Sequence, residues 1–449
     1  MASNDSRFQL TVEQAVARVR EREEAMHAFV TTRLDDALRD AKQLATQPIR
    51  SPLHALPYAL KDEWETTVLP TTGGSLRHAE RRPARDSLAF EVFRDAGGVL
   101  IGKTNLSDLG LAPEATNYLV GPTHNPHDLQ HTAGGSSGGA AAAVADGMVA
   151  FDWGTDIGGS IRMPAAFCEV LGMRLSSETW PIRDLFPVVP EKLNWMCGQG
   201  PFTHTTAQMR AVLDVAAPRL RARTAAFQPR RILTYLPPRM RHWPDFLADA
   251  MPHLQAAIDA PVEDVADALP GCDHVRQVYG SVWASHLDEL VTADDTLSFA
   301  EGARGVLSSV FLRGAFGDRR FHPSTAELLM LMAIGRVTIF RSKQRALANA
   351  DAVRAQFRQV WEAGSLIAAP VCVVPPPRIG RGNRTLDLLT CTLAGNLADA
   401  TAIAIPLGRF GNLPRAIQLM GPPGCENVLL DLADRFIASR DAATAPHRT

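Results

Sequence analysis

At 449 residues, with 46% hydrophobic and 21% charged side chains, the chain can bury a sizeable core as one large α/β enzyme domain or two to three average ones. A formal net charge of −2 leaves no electrostatic footprint for direct binding of nucleic acid or an anionic membrane. The start has no apolar secretory core and no run of about 18 uncharged apolar residues appears. Six cysteines scattered without CxxC spacing read as buried thiols of a cytoplasmic protein.

The first predicted element is a helix over 11–29, where Val12, Ala15, Val16 and Val19, then Met26 and Phe29, recur on one stripe. Thr11 with Gln14 three residues on is a capping-box signature. A second helix is expected from Asp35 to Ala45. Pro57-Tyr58-Ala59-Leu60 then forms an apolar extended stretch ending on Lys61-Asp62; alone, a lysine beside an aspartate reads as a solvated ion pair. Ser87–Ala96 reads as helix and Gly97–Gly102 as a short buried strand. The same order returns in Ala140–Gly147 and Met148–Trp153, which points to a mostly parallel sheet covered by helices.

From about 218 to 330, Arg/Pro-rich joints separate moderate helices, predicting a helical excursion with one strand at Ile232–Leu236. The core pattern returns at Leu366–Val374, a stiff-then-flexible loop follows over 375–383, and residues after about 440 read as a flexible tail. The expected fold is α/β: a single domain over 1–449, a twisted mixed sheet, parallel at its centre, sandwiched by helices.

Two small-residue clusters each carry serines: Gly134-Gly135-Ser136-Ser137-Gly138-Gly139 and Gly154-Thr155-Asp156-Ile157-Gly158-Gly159-Ser160-Ile161-Arg162. Glycines let backbone N–H groups crowd a ligand, so a serine at the end of such a stretch sits beside free donors, as an acyl-transfer nucleophile requires. A serine hydroxyl also needs a base, and a buried lysine deprived of its ammonium form could be one; Lys61 becomes a candidate on that ground. Gly134-Gly135-Ser136-Ser137-Gly138 also satisfies the G-x-S-x-G elbow of α/β-hydrolases, but the later histidines (204, 242, 274, 286, 322) lack a distinctive context and the second cluster is left without a purpose. Neither cluster fits a phosphate-binding glycine motif. His124, His127 and His131 with Asp128 have loose metal-ligand spacing, but Pro126 bars a regular helix there, so no metal and no cofactor are expected.

Lys61, Ser136 and Ser160 lie at intervals of 75 (61 to 136) and 24 (136 to 160) residues, and in this the chain resembles the amidase signature family. The resemblance covers most of the chain. It takes in Pro52–Asp62, Thr71-Thr72-Gly73-Gly74-Ser75, Gly102-Lys103-Thr104-Asn105, Asn125-Pro126, the two serine clusters, Gly200-Pro201-Phe202, Ile405-Pro406-Leu407-Gly408, Leu413-Pro414 and Gln418. It implies that Ser160 is the nucleophile and that Ser136, following a cis peptide bond, bridges Ser160 to Lys61 as general base. It also implies an oxyanion hole from the backbone of Ile157, Gly158, Gly159 and Ser160, with Ser137, Asp156 and Arg162 as structural support.

The chain departs from that family's pattern at Ala133, at Glu169 and Arg174 (within the usual Gly-x-x-Gly-x-Lys-Pro-Thr), and at Asp399 and Thr401 (within the usual Asn-Leu-Thr-Gly-x-Pro). Glu169 adds a charge that needs Arg174 or another partner. Leu109, Leu111, Leu119 and Trp153, near the motif in sequence, suggest an apolar acyl pocket. The implied activity is hydrolysis of a small linear carboxylic amide, or a related ester or carbamate, with a small-molecule amide as partner and compatible with a homo-oligomer. The alternative is a partner-dependent amidase component of a tRNA transamidation complex, or a catalytically idle binding subunit.

Overall fold

The helix Val12–Met26 begins as its cap dictates: the Thr11 hydroxyl accepts from Gln14 N while the Gln14 side chain accepts from Thr11 N. The helices Leu34–Leu44 and Leu88–Asp95 fall within a residue or two of expectation, the second capped by Ser87. The computed structural model describes residues 10–444 apart from 181, 220–226, 238–242, 244, 265–268, 293–297, 312–318, 339–341 and 385–387.

Eleven strands form one mixed sheet. Their order is Phe29–Thr32, Val99–Thr104, Pro57–Lys61, Phe151–Asp156, Gly198–Thr203, Leu171–Arg174, Thr401–Phe410, Leu413–Gly421, Ser365–Pro370, Arg231–Thr234 and Val262–Asp264. Pro57–Lys61 runs parallel to both of its neighbours, and Arg231–Thr234 does the same at the other end. The parallel pairings therefore form two blocks, joined through antiparallel pairings from Phe151–Asp156 across to Ser365–Pro370. The strand expected at Met148–Trp153 lies three residues later. Its apolar start at 148–150 leads out of the turn at Gly147 (φ 72°), and pairing begins only at Phe151.

Strand alternation divides the interior into layers. Tyr58, Leu60, Phe151 and Trp153 point into one core, while Ala59 points into another shared with Ala140–Val144. The helix Gly138–Ala145 that makes this second layer consists of glycine, alanine and one valine, and it lies close enough to need them. A Cβ on Gly138 would sit 2.6 Å from Ala115 Cβ, and one on Gly139 2.4 Å from the Ala28 carbonyl oxygen. That close approach brings the serines at its start against the end of Pro57–Lys61.

The helical excursion is present as the helices Phe246–Ala257, Cys272–Ser285, Leu287–Val291, Phe299–Phe311 and Pro323–Thr338. It contributes two strands rather than one, Arg231–Thr234 and Val262–Asp264, and both extend the sheet. The last helix, Glu426–Thr444, holds its form beyond the point where the tail was expected; 445–449 lie outside the described residues. Among the described residues no helix is long and apolar enough to cross a membrane. The six cysteines are buried and unbridged.

Candidate active site

Lys61 ends its strand fully buried. Its Nζ donates to Ser136 Oγ at 2.7 Å and to Thr155 Oγ1 at 2.7 Å, and it lies 3.1 Å from Glu63 Oε2. Thr155 Oγ1 in turn donates to Glu63 Oε2 at 2.6 Å. The adjacent Asp62 takes no part: it pairs instead with the equally buried Lys103 at 3.0 Å. Burial pushes the Asp62 carboxyl up and the Lys103 ammonium down, each opposed by the other's charge. The carboxylate that meets Lys61 is thus two residues away rather than one.

The first serine loop is fixed from behind. The Gly135–Ser136 peptide bond is cis, Ser107 N donates to the Ser136 carbonyl at 3.2 Å, and Ala115 N to that of Gly134 at 2.9 Å. A Cβ on Gly135 would lie 2.5 Å from Glu114 N, so no other residue fits without moving Ser136. Gly135→Ala should accordingly lower kcat by about 100-fold with amide substrates, since displacements of about 1 Å at a reacting group cost that much. Ser137 joins the two loops, its N–H donating to the Ser160 carbonyl at 3.3 Å and its hydroxyl to the Thr155 carbonyl at 3.2 Å.

In the second loop the carbonyls of Ile157, Gly158 and Gly159 are each hydrogen-bonded. That of Ile157 accepts from Tyr279 Oη (2.9 Å), that of Gly158 from Thr392 Oγ1 (2.8 Å) and that of Gly159 from Met163 N (2.8 Å). Burial pushes the Tyr279 hydroxyl up, which keeps it a donor. Gly159 has φ 116°, and a Cβ there would meet Thr392 Oγ1 at 2.4 Å. Its N–H, expected among the oxyanion donors, donates instead to Asp156 Oδ1 at 2.8 Å. Among the described residues, the N–H groups of Ile157, Gly158 and Ser160 have no protein acceptor, and Ser160 is half-buried beside them.

Asp156 organises this loop from below. It also accepts from Ile161 N (3.1 Å), and Arg162 grips both of its oxygens, Nη2 to Oδ1 and Nε to Oδ2, each at 3.0 Å. Burial alone would raise its carboxyl, but the Arg162 guanidinium, with Arg174 and Asn396, holds it well below the usual carboxylate range. The remaining Arg162 donors go to the Thr392 carbonyl (3.0 Å), Gln418 Oε1 (2.8 Å) and Asn396 Oδ1 (2.7 Å), so a single guanidinium joins the nucleophile loop to the C-terminal third of the chain.

The departures from the family pattern are accommodated locally. Glu169 takes the left-handed conformation (φ 59°) that a glycine there would supply, and its carboxylate pairs with Arg409 and lies 3.6 Å from His127, not with Arg174. Arg174 meets Asp399 at 3.0 Å, both buried. Asp399, itself left-handed (φ 48°), also accepts from the hydroxyls of Ser176 (2.8 Å) and Ser177 (2.7 Å).

Beside the cluster opens a pocket whose wall includes Glu63, Thr155 and Ile157. Leu109 and Leu111 line it as anticipated, but Trp153 does not: it packs in the core against Phe93 and Trp180 at ring distances of 5.2 and 5.0 Å, and Leu119 is also absent from the wall. The excursion supplies Trp283, Leu290 and Val291, which no motif announces because they lie over 100 residues from the serine loops. Among the described residues no histidine contacts Ser136, and no cluster of metal-ligating side chains forms; His131 pairs with Asp128 at 3.0 Å. His242 lies outside the described residues.

Comparison with known proteins bears on family and fold. A family model described as Amidase matches residues 11–237. The chain is 30% identical over 456 residues to the A subunit of the glutamyl-tRNA(Gln) amidotransferase of Anaeromyxobacter dehalogenans, covering 94% of this chain and 91% of that one. The A subunit of the Moorella thermoacetica amidotransferase is 27% identical, over 97% of this chain and 95% of its own. In fold the chain is similar to the peptide amidase of Stenotrophomonas maltophilia, with a TM-score of 0.74 at 21% identity over 97% and 94% of the two chains.

Proposed function

This chain belongs to the amidase family, and from that premise we propose that it cleaves an amide C–N bond through an acyl-Ser160 intermediate. The observation that carries the reading is the 2.7 Å contact from the buried Lys61 Nζ to Ser136 Oγ, with the Ser136 and Ser160 loops fastened to each other through Ser137. Ser160 Oγ attacks the carbonyl carbon as its proton passes to Ser136 and the Ser136 proton to neutral Lys61. The oxyanion is received by the N–H groups of Ile157, Gly158 and Ser160, a term typically worth about 2.7–4 kcal/mol per donor removed. As the tetrahedral species collapses, the C–N bond breaks and the departing nitrogen takes a proton back along Ser136 from Lys61. Water then attacks the acyl-Ser160 ester by the same relay and releases the acid.

Two sources of the amide are in question. The amidotransferase relatives favour the transamidation alternative, in which the chain works within an amidotransferase on glutamyl-tRNA(Gln). The pocket favours a free amide with an apolar body: its described wall holds leucines, valines and Trp283, with Glu63 as its one charged side chain. Fluorophosphonate labelling with peptide mapping tests the chemistry common to both. An adduct on Ser160 supports it, one on Ser136 would revive the hydrolase elbow, and none would indicate an idle or partner-dependent subunit. The purified chain turning over apolar amides supports a free-standing hydrolase; amide turnover only with partner proteins and tRNA supports the alternative.

A further inference from the structure

Glu63 is the one carboxylate in the described pocket wall. Its Oε2 is shared by Lys61 Nζ (3.1 Å) and Thr155 Oγ1 (2.6 Å), but its Oε1 accepts no hydrogen bond among the described residues. Gly110, also in the wall, packs closely on that oxygen, since a Cβ there would come within 2.0 Å of it. Around it the pocket is apolar, with Leu109, Leu111, Ile157 and Val189.

Among the described residues Lys61 is the one cation paired with Glu63. A base must be neutral, and when Lys61 gives up its proton Glu63 is left as a buried anion with no cation beside it, a condition that is strongly unfavourable. A substrate cation seated against Glu63 would restore neutrality and make the base-competent form of Lys61 accessible. Resting on the acyl-Ser160 reading above, we propose that Glu63 determines substrate class: the amide carries an ammonium group close to the scissile carbonyl on an otherwise apolar body.

The test is protection of Ser160 from a fluorophosphonate probe by two compounds of the same shape, 3-methylbutylammonium and the neutral 3-methylbutanol. The ammonium should protect the wild-type chain at an at least about tenfold lower concentration than the alcohol, and Glu63→Gln should abolish most of that difference. Leucinamide should likewise exceed 4-methylpentanamide in kcat/KM, with the preference lost in Glu63→Gln. Equal protection of the wild-type chain by the two compounds overturns the inference while leaving the acyl-enzyme reading intact, as does a preference that survives in Glu63→Gln. Absence of any Ser160 adduct in the wild-type chain removes the acyl-enzyme reading of the free-standing chain, and this inference with it. Because the wild-type comparison decides by itself, the proposal stays testable even where Glu63→Gln does not fold.

Discussion

Ser160→Ala abolishes amide turnover, lowering kcat by at least about 10⁴-fold, while the thermal unfolding midpoint stays within about a degree of the parent. The large kinetic effect follows from removing the one hydroxyl that stands among unbonded N–H groups. The small effect on stability follows from where that hydroxyl sits. Its residue is half-buried, the loop is held through the Ser160 carbonyl and the Asp156 bonds, and among the described residues no protein group depends on Ser160 Oγ. Steady-state kinetics and circular dichroism on one preparation check both halves. Residual turnover within about 100-fold of the parent would dismiss Ser160 as nucleophile.

Asp156→Ala acts in the opposite way and unfolds the region. It strands the Arg162 guanidinium, fully buried, and frees Gly159 N and Ile161 N; breaking a buried ion pair by removing one partner costs about 3–5 kcal/mol. Urea unfolding should show a loss of that size together with loss of Ser160 labelling. The same carboxylate gives stability a defined pH response. Its folded-state pKa lies below the ordinary carboxylate value, so its contribution is fully present above that ordinary value and is lost as pH falls toward the folded one. The acid limb of the stability profile should therefore be shallower in Asp156→Asn than in the parent. An unchanged slope would show that Arg162 does not hold that charge.

Much of this was legible in the chain because it is written in local chemistry. The capping box at Thr11 and Gln14, the glycines flanking the two serine clusters and the apolar run ending on Lys61 all act through nearest neighbours. The repeated helix-then-strand order announces the parallel block around Pro57–Lys61, while the antiparallel pairings in the middle of the sheet carry no such local signal. What was missed lies at greater reach. Lys61 is read against its neighbour Asp62, but the chain turns directly after Lys61, with Glu63 N donating to the Lys61 carbonyl at 2.7 Å, and the turn brings the Glu63 carboxylate back to Lys61 Nζ. Gly159 was counted as an oxyanion donor because a motif shows which N–H groups are present, not which are already taken by a carboxylate three residues earlier. Trp153 was placed in the pocket on proximity in sequence, whereas its strand turns it into the core against Trp180. The pocket's far wall comes from the excursion, where only tertiary packing brings Trp283 and Val291 to the site.

The contact between Arg174 and Asp399 says something about history. Each of the two residues is by itself a departure from the family pattern, one in place of lysine and one in place of glycine, and they lie 225 residues apart in the chain yet 3.0 Å apart in space. A lineage that acquired the aspartate first would have carried a buried carboxylate in a left-handed turn with only the shorter reach of a lysine to meet it. One that acquired the arginine first would have had Asp156 at 4.0 Å as its anion and lacked the nearer carboxylate at 3.0 Å. The two changes are therefore epistatic: reverting either alone should harm the protein more than reverting both.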